Sequence, residues 1–182
     1  ATSIRLDGGE QIDAAAVVVA TDGPTASHLL DLDEVRSKAA GCVYFAADSA
    51  PTASKSVILD GTGVGPVLNA AVMSNVASSY APPGRHLIAA AIPGQSNGDL
   101  EHAARRQMRR WWGAQVDDWE HVATYRIPHG QPRQPPPFSP KQSVHLDDGR
   151  FVCGDHRDTA SIQGALFSGR RCGEAVAAML EA

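Results

Sequence analysis

The stretch FVCGDHRDTASIQGALFSGRRCGEAV, Phe151–Val176, decides how the fold of this 182-residue chain is interpreted. It predicts a short buried strand, a Gly-Asp turn, a polar loop and then a helix containing Gly164, Gly169 and Gly173. Each glycine in a helix interior costs about 1 kcal/mol relative to alanine, against a domain stability of about 5–15 kcal/mol. We therefore expect bare backbone to be needed there, either by a closely packed neighbouring element or by a ligand at the helix start.

The residues around the Gly-Asp turn and the helix start resemble the carboxy-terminal flavin motif of the FAD-dependent amine oxidase, phytoene desaturase and protoporphyrinogen oxidase superfamily. The matching residues are Gly154, Asp155, Ser161, Ile162, Gln163, Gly164, Ala165 and the run Ser168 to Arg171. The resemblance implies that the cofactor is FAD and that Asp155 hydrogen-bonds its ribityl chain. It also implies that backbone N–H groups around Ile162 to Gly164 face the cofactor. A helix start suits this role because it offers unpaired N–H donors and about half a positive charge.

Each of these residues also has a simpler interpretation. Taken alone, Asp155 is a common turn residue after a strand. Asp158 and Thr159 are expected to cap or bond the loop rather than to be catalytic. We expect His156 to be an exposed loop histidine, with a position near the flavin as the alternative. Gly169 and Gly173 are four residues apart and can simply permit close packing of the helix against a strand.

Two further segments resemble the same superfamily. Residues 3–10 and 12–22 predict a hairpin whose second strand ends in Ala20-Thr21, and the resemblance places Thr21 near the cofactor. The segment Tyr125–Pro132 is similar to the strand that returns from the substrate domain toward the flavin. It makes Tyr125 and His129 candidate substrate-pocket residues, although the His129 imidazole is equally well explained by a hydrogen bond to a loop.

The chain also departs from the superfamily pattern. The dinucleotide motif GxGxxG, expected at a strand–turn–helix, does not occur in the sequence. The string Gly61–Pro66 follows a three-residue apolar run and ends in proline rather than opening a helix, so it fails the structural context. We therefore expect the chain to be the carboxy-terminal portion of a longer flavoenzyme. Whether it is a truncated form, a proteolytic fragment or half of a split protein stays open.

Composition excludes several other classes of protein. The net charge of −4 argues against a general nucleic-acid binder, whose domains are usually strongly basic. The three cysteines are widely spaced, without metal-ligand spacing, so we expect free thiols and no metal. The sequence shows neither a signal peptide nor an apolar run of the about 20 residues that a membrane span needs. The cytoplasm is the default location.

The expected fold is α/β (α+β), with the carboxy-terminal part of a Rossmann-like FAD-binding domain and a mostly antiparallel substrate domain with helices. The predicted division is 1–35 for the FAD-domain edge hairpin and short helix, 36–130 for the substrate domain, and 131–182 for the FAD-domain return. Within it we expect helices at 27–32 and 99–112, an antiparallel meander with strands at 42–46, 56–59, 67–76 and 86–92, a strand at 119–127, an extended 132–140 and a turn at 147–149.

By resemblance, the parent protein transfers hydride from a C–C or C–N bond of its substrate to the flavin. The spelling of the two motifs favours the phytoene dehydrogenase or protoporphyrinogen oxidase side over monoamine oxidases, and no acid–base residue is identified. The expected partners are a small apolar or amine substrate and either the missing amino-terminal half or a second copy, as in a homodimer. The isolated chain is expected to be inactive. The alternative is a non-catalytic module that binds a partner or self-associates.

Overall fold

The chain leaves one structural unit and returns to it: Ala1–Ser37 and Gln131–Ala182 belong together, and Lys38–Gly130 form a second unit. The computed structural model describes residues 2–94, 97–147 and 149–181. The predicted turn at 147–149 includes Asp148, which lies outside the described residues.

The elements mix helices and strands, as the sequence predicts. In chain order the strands are β1 (Thr2–Arg5), β2 (Gln11–Ala14), β3 (Val17–Val19), β4 (Ser37–Ala47), β5 (Ile58–Leu59), β6 (Asn69–Val72), β7 (His86–Pro93), β8 (Glu120–Pro132), β9 (His145–Asp147) and β10 (Arg150–Val152). The helices are α1 (Gly23–Leu30), α2 (Met73–Val76), α3 (Leu100–Trp112) and α4 (Ile162–Leu180).

The first unit is built on a pair of parallel strands. β3 pairs with β10 in parallel, β9 adds to β10 in antiparallel, and β1 with β2 forms a separate hairpin. Successive strand residues point to opposite faces, so Phe151 packs in a cluster with Cys172 of α4, whereas Val152 packs with Ala26 of α1. The short parallel strand β10 is therefore buried on both faces, as parallel strands usually are.

The second unit is a five-stranded antiparallel sheet, in the order β5-β6-β7-β4-β8, with α3 against one face. β4 alternates strictly between buried and half-buried residues from Gly41 to Ala47. Its buried side chains, Val43 and Phe45, share a core with Ala104 and Met108 of α3. The opposite face of β4 carries the half-buried Cys42 and Tyr44.

The mixed fold and the antiparallel sheet are confirmed, but several predicted elements are wrong in detail. The sheet is not a simple meander, because β7 pairs with β4 rather than with the next strand along the chain. The predicted strand 67–76 ends at Val72, where the chain turns into α2. β8 runs on past Ile127 to Pro132, because an edge strand tolerates proline.

The first helix begins four residues earlier than predicted. The Asp22 side chain accepts a hydrogen bond from the Thr25 N–H at 2.9 Å, and Pro24 occupies the first turn. Proline lacks an N–H that this turn would leave unpaired in any case. The Asp-Gly-Pro string, which in the sequence resembles a turn, is therefore the beginning of α1.

A buried glutamine joins α3 to the segment before β6. Gln107 is 1% exposed, its Oε1 accepts from the Val67 N–H at 2.7 Å, and its Nε2 donates to the Val67 carbonyl at 2.8 Å. Both backbone groups of Val67 are thus paired by one side chain. Such pairing matters because a buried backbone group without a partner is costly.

Replacing this glutamine tests its role. Gln107→Leu keeps the volume but leaves both Val67 groups unpaired, so we expect the free energy of unfolding to fall by about 2–4 kcal/mol. Urea denaturation followed by tryptophan fluorescence measures the change. The control is Gln115→Leu, at an exposed glutamine. Equal stability of the two variants would show that the Val67 bonds contribute little.

The three cysteines differ in environment. Cys153 and Cys172 are buried together in the core of the first unit, whereas Cys42 is half-buried on the sheet of the second. Burial, reinforced by the adjacent Cys153, raises the pKa of Cys172 to about 11. Burial also raises the pKa of the Cys42 thiol, against a hydrogen bond with Tyr44 that lowers it.

These environments predict an order of thiol reactivity. At about pH 8 a thiol with a pKa of about 11 is thiolate in about one molecule in a thousand, and only the thiolate reacts. We therefore expect one thiol, Cys42, to react with an aromatic disulfide reagent in the native chain. The other two should react only after unfolding. The fast phase should disappear in Cys42→Ser, and a native fast phase of two or more thiols would contradict the assignment.

Candidate functional site

The candidate site lies where the two parallel strands end. β3 is followed by Ala20-Thr21 and β10 by Cys153-Gly154, and the Cys153 N–H donates to the Val19 carbonyl at 3.0 Å. The Thr21 carbonyl oxygen is 3.3 Å from the position that a Cβ on Gly154 would occupy. The structure thus brings Thr21 next to the Gly154-Asp155 turn. The carboxyl ends of parallel strands are the usual place for ligands in α/β sheets.

Gly154 is needed at this turn for two physical reasons. Its φ of +151° is a backbone conformation that L side chains rarely adopt. A Cβ would also lie 2.6 Å from Nδ1 and Cε1 of the His156 ring. Glycine therefore allows the imidazole to fold back under the turn.

A buried serine fixes the turn to the last helix. Ser168 is fully buried, and its Oγ accepts from the Gly154 N–H at 2.9 Å and lies 2.7 Å from the Gly154 carbonyl oxygen. The same hydroxyl is 3.0 Å from the Ala165 carbonyl, one turn back in α4. Both backbone groups of Gly154 are therefore held by one side chain of α4. The sequence motif includes Ser168 but does not indicate this role.

The start of α4 leaves two amides available. Ser161 is the N-cap, and its Oγ accepts from the Gly164 N–H at 2.9 Å. The Ala165 N–H donates to the Ser161 carbonyl, so neither Gly164 nor Ala165 has a free N–H. The amides of Ile162 and Gln163, in the exposed first turn, have no intrahelical acceptor.

Close packing explains Gly164 but neither of the other two helical glycines. A Cβ on Gly164 would lie 2.8 Å from the carbonyl carbon of Thr159 and would overlap its oxygen. The neighbouring loop is fixed because Gln134 donates to the Asp158 carbonyl at 2.6 Å and accepts from the Ala160 N–H at 3.0 Å. Nothing in the described part of the chain lies within 4 Å of a Cβ on Gly169 or Gly173. The expectation that these two glycines pack closely is therefore wrong for the described chain.

Asp155 opens a short 3-10 turn, Asp155–Arg157, and is half-buried. Its carbonyl accepts from the Asp158 N–H at 3.2 Å, while its carboxylate has no hydrogen-bond donor among the described residues. An ionised carboxylate accepts hydrogen bonds only, so it suits a hydroxyl-bearing ligand. Together with the two free amides of α4, this donor and acceptor set fits the ribityl hydroxyls and the electron-rich edge of a flavin.

His156 is buried, contrary to the sequence expectation of an exposed loop histidine. It is 5% exposed, because it packs under Gly23 at the start of α1. Burial is the main cause that lowers its pKa, and the nearby Arg157 adds to it against the opposing charges of Asp155 and Asp22. Neither ring nitrogen has a hydrogen-bond partner in the described part of the chain.

The two candidate substrate residues lie in the second unit, on β8. Tyr125 is 57% exposed, and its ring packs edge-on against Tyr44 with 5.8 Å between centroids. His129 is exposed. Within the described ranges no helix is long and apolar enough to cross a membrane, and no three His, Cys, Asp or Glu side chains are grouped as metal ligands.

The two types of glycine in α4 give a matched test. Gly164→Ala should lower the free energy of unfolding by about 1–3 kcal/mol, because the new methyl overlaps the Thr159 carbonyl. Gly169→Ala places the same methyl in open space and should raise it by about 0.5–1 kcal/mol. Thermal denaturation of both variants measures the difference. Equal shifts would mean that Thr159 moves aside without cost.

The sequence matches the family described as "Flavin containing amine oxidoreductase" over residues 1–177. No curated protein matches the sequence.

Solved structures share the fold. A protein assigned as a protoporphyrinogen oxidase from Exiguobacterium sp. 255-15 superposes with a TM-score of 0.70 at 15% identity, over 99% of this chain and 44% of that chain. An oxidoreductase from Methanosarcina mazei gives 0.62 at 14% identity, over 94% and 47%. Glycine oxidase from Geobacillus kaustophilus gives 0.54 at 18% identity, over 96% and 44%.

The chain thus spans less than half the length of these solved structures. Their low identities establish a shared fold, whereas the family match extends over nearly the whole sequence. The chain belongs to the flavin-containing amine oxidoreductase family, whose cofactor is FAD.

Proposed function

We propose that this chain is the carboxy-terminal portion of an FAD-dependent oxidoreductase, and that the ends of β3 and β10 with the start of α4 hold the flavin. The observation that carries the proposal is the family match over residues 1–177, since it includes the Gly154-Asp155 turn, where the Asp155 carboxylate has no donor in the described chain. The absent GxGxxG motif and the coverage of less than half of each similar structure support the status of a portion.

Each residue of the site has a distinct task in this proposal. When bound, FAD would supply the redox chemistry as the acceptor of a hydride from a substrate C–H group whose C–C or C–N bond is oxidised. Asp155 accepts hydrogen bonds from ribityl hydroxyls, which fixes the cofactor along the turn. The free amides of Ile162 and Gln163 lie at the positive end of the α4 dipole. They would stabilise negative charge on the edge of the flavin that faces the helix. Thr21, which follows β3 and lies next to Gly154, would contact the cofactor from the other side of the turn.

The side chains on one face of the sheet in the second unit favour a small substrate that is apolar or an amine. On the face of the sheet opposite α3, Cys42 is paired with Ala91, and Tyr44 with Ala89. These side chains are half-buried and uncharged. Alanines beside a tyrosine ring give an apolar surface that suits such a substrate, and the Tyr125 ring packs against Tyr44 next to it. This surface favours the phytoene dehydrogenase or protoporphyrinogen oxidase type of reaction within the family, with no acid–base residue assigned.

The first unit also exposes an apolar surface suited to a protein partner. On α4, Ile162, Leu166 and Leu180 are 85%, 69% and 58% exposed, on one stripe of the helix. β3 pairs only with β10 among the described strands, and Val18 is 44% exposed. An exposed apolar helix stripe and a strand edge without a described neighbour are each typical of an association surface. We propose the amino-terminal half of the same enzyme as its occupant, in preference to a second copy in a homodimer.

The role of Asp155 is tested in the uninterrupted gene product that contains this chain. Asp155→Ala should weaken FAD binding about 10- to 150-fold, through loss of a charge-assisted hydrogen bond. Flavin absorbance per mole of purified protein and an FAD titration measure the effect. The control is Asp118→Ala, which makes the same charge change at an exposed residue of the second unit. Unchanged flavin content in Asp155→Ala would refute the assignment.

An FAD titration of the 182-residue chain tests whether it is a portion of a longer enzyme. Flavin fluorescence measures binding, and gel filtration of the same sample measures the oligomeric state. We expect no saturable binding, because the dinucleotide-binding half is absent. Saturable micromolar binding by a dimer would instead show that a second copy completes the site.

A non-catalytic, self-associating module remains the second candidate, because of the exposed stripe of α4. The coding sequence separates the two. An upstream GxGxxG motif in the same reading frame supports the enzyme, whereas a start codon directly before Ala1 without a partner gene supports the module.

A further inference from the structure

A partly open cavity of about 730 Å³ lies wholly within the first unit. Its walls are the segment 32–36 after α1, the proline-rich segment 132–139, and the pair His156 and Arg157. None of the residues assigned to the flavin lines it. The volume is in the range of sites that hold small organic ligands. The cavity is therefore a second candidate site, apart from the Gly154-Asp155 turn.

One wall of this cavity presents an unsatisfied polar group. His156 lines the cavity, is 5% exposed, and neither ring nitrogen has a partner among the described residues. Burial favours the neutral imidazole, which has one N–H donor and one acceptor nitrogen. Buried polar groups in native proteins are nearly always hydrogen-bonded. The imidazole therefore needs a partner that the described chain does not supply.

The charges around the cavity favour an anion as that partner. Three arginines line it, Arg36, Arg133 and Arg157, against the two exposed carboxylates of Asp33 and Glu34. The guanidinium groups of Arg36 and Arg133 have no acceptor or ion-pair partner in the described chain. Arginine's planar donor fork matches carboxylate and phosphate oxygens.

Two half-buried arginines lie near His156: Arg157 follows it in the sequence, and Arg171 donates to the Arg157 carbonyl at 3.2 Å. Arg157 donates to the Ser143 carbonyl through Nε and Nη2, and its pKa is lowered by burial and by the neighbouring Arg171. Arg171 pairs with Asp158 at 3.0 Å, while its own Nε is buried and has no partner among the described residues. Within the described chain the Asp158 carboxylate therefore pairs with Arg171, while the Arg157 guanidinium has no carboxylate partner and keeps its positive charge at the cavity wall.

We propose that this cavity binds a small organic oxyanion, a carboxylate or a phosphate ester, with the His156 N–H and the lining arginines as donors. Phe138 and the prolines of segment 132–139 supply an apolar wall for the organic part of the ligand. The site adjoins the flavin turn through His156 but is lined by none of the residues assigned to the flavin, and it does not depend on the proposed oxidoreductase activity.

The experiment is a titration of the 182-residue chain with phenyl phosphate and with benzoate, by isothermal calorimetry. Saturable binding with one ligand per chain is expected, and the tighter of the two probes identifies the head group. Arg133→Gln should weaken binding about 5- to 20-fold, because an exposed arginine at the cavity is lost. Arg106→Gln makes the same charge change on α3 of the second unit and should leave affinity within about twofold.

A second measurement follows His156 directly. In the chain labelled with ¹⁵N at histidine, the His156 ring signals should shift on titration with the tighter probe, while those of the exposed His129 should not. Absence of saturable binding for both probes, equal weakening by Arg133→Gln and Arg106→Gln, or unmoved His156 signals would each overturn the proposal. Competitive displacement of the probe by FAD would also overturn it, because the cavity would then belong to the flavin site.

Discussion

The hydrogen bonds between the Ser168 hydroxyl and the backbone of Gly154 are the contact on which the candidate flavin site depends. They join the turn after β10 to the middle of α4, so the helix start and the Asp155 carboxylate are fixed by the same anchor. Because Ser168 is fully buried, this polar contact is made without competition from water. The local geometry of the site thus follows from one side chain about two turns into the helix.

Near these hydrogen bonds, two positions must be glycine because a side chain there would collide with neighbouring protein atoms. Gly154 makes room for the His156 ring, and Gly164 makes room for the Thr159 carbonyl. These contacts hold the turn against α1 and the loop against α4. Gly169 and Gly173 have no such neighbour in the described chain, and they lie in a helix whose exposed stripe we assign to a partner.

The first unit combines two chemically different candidate sites. The flavin turn offers a carboxylate and two helix amides, whereas the cavity offers a neutral imidazole and arginine side chains. Asp155 and His156 are adjacent in sequence, but Asp155 is half-buried at the turn, whereas His156 is buried and lines the cavity. The charged groups differ accordingly, with a single carboxylate at the turn and three arginines against two carboxylates lining the cavity.

The sequence alone determined the family, the FAD cofactor and the mixed fold with its antiparallel sheet, because motif spelling and strand periodicity are local properties. Contacts made only in the folded chain determined the other features. The burial of His156, the pairing of β7 with β4 and the lining of the cavity depend on contacts between residues distant in sequence, which no local pattern encodes. Only the tertiary structure could show that Gly164 leaves space for the Thr159 carbonyl. It also shows that two amides at the start of α4 are free, whereas the motif indicated that the Gly164 amide was available as well.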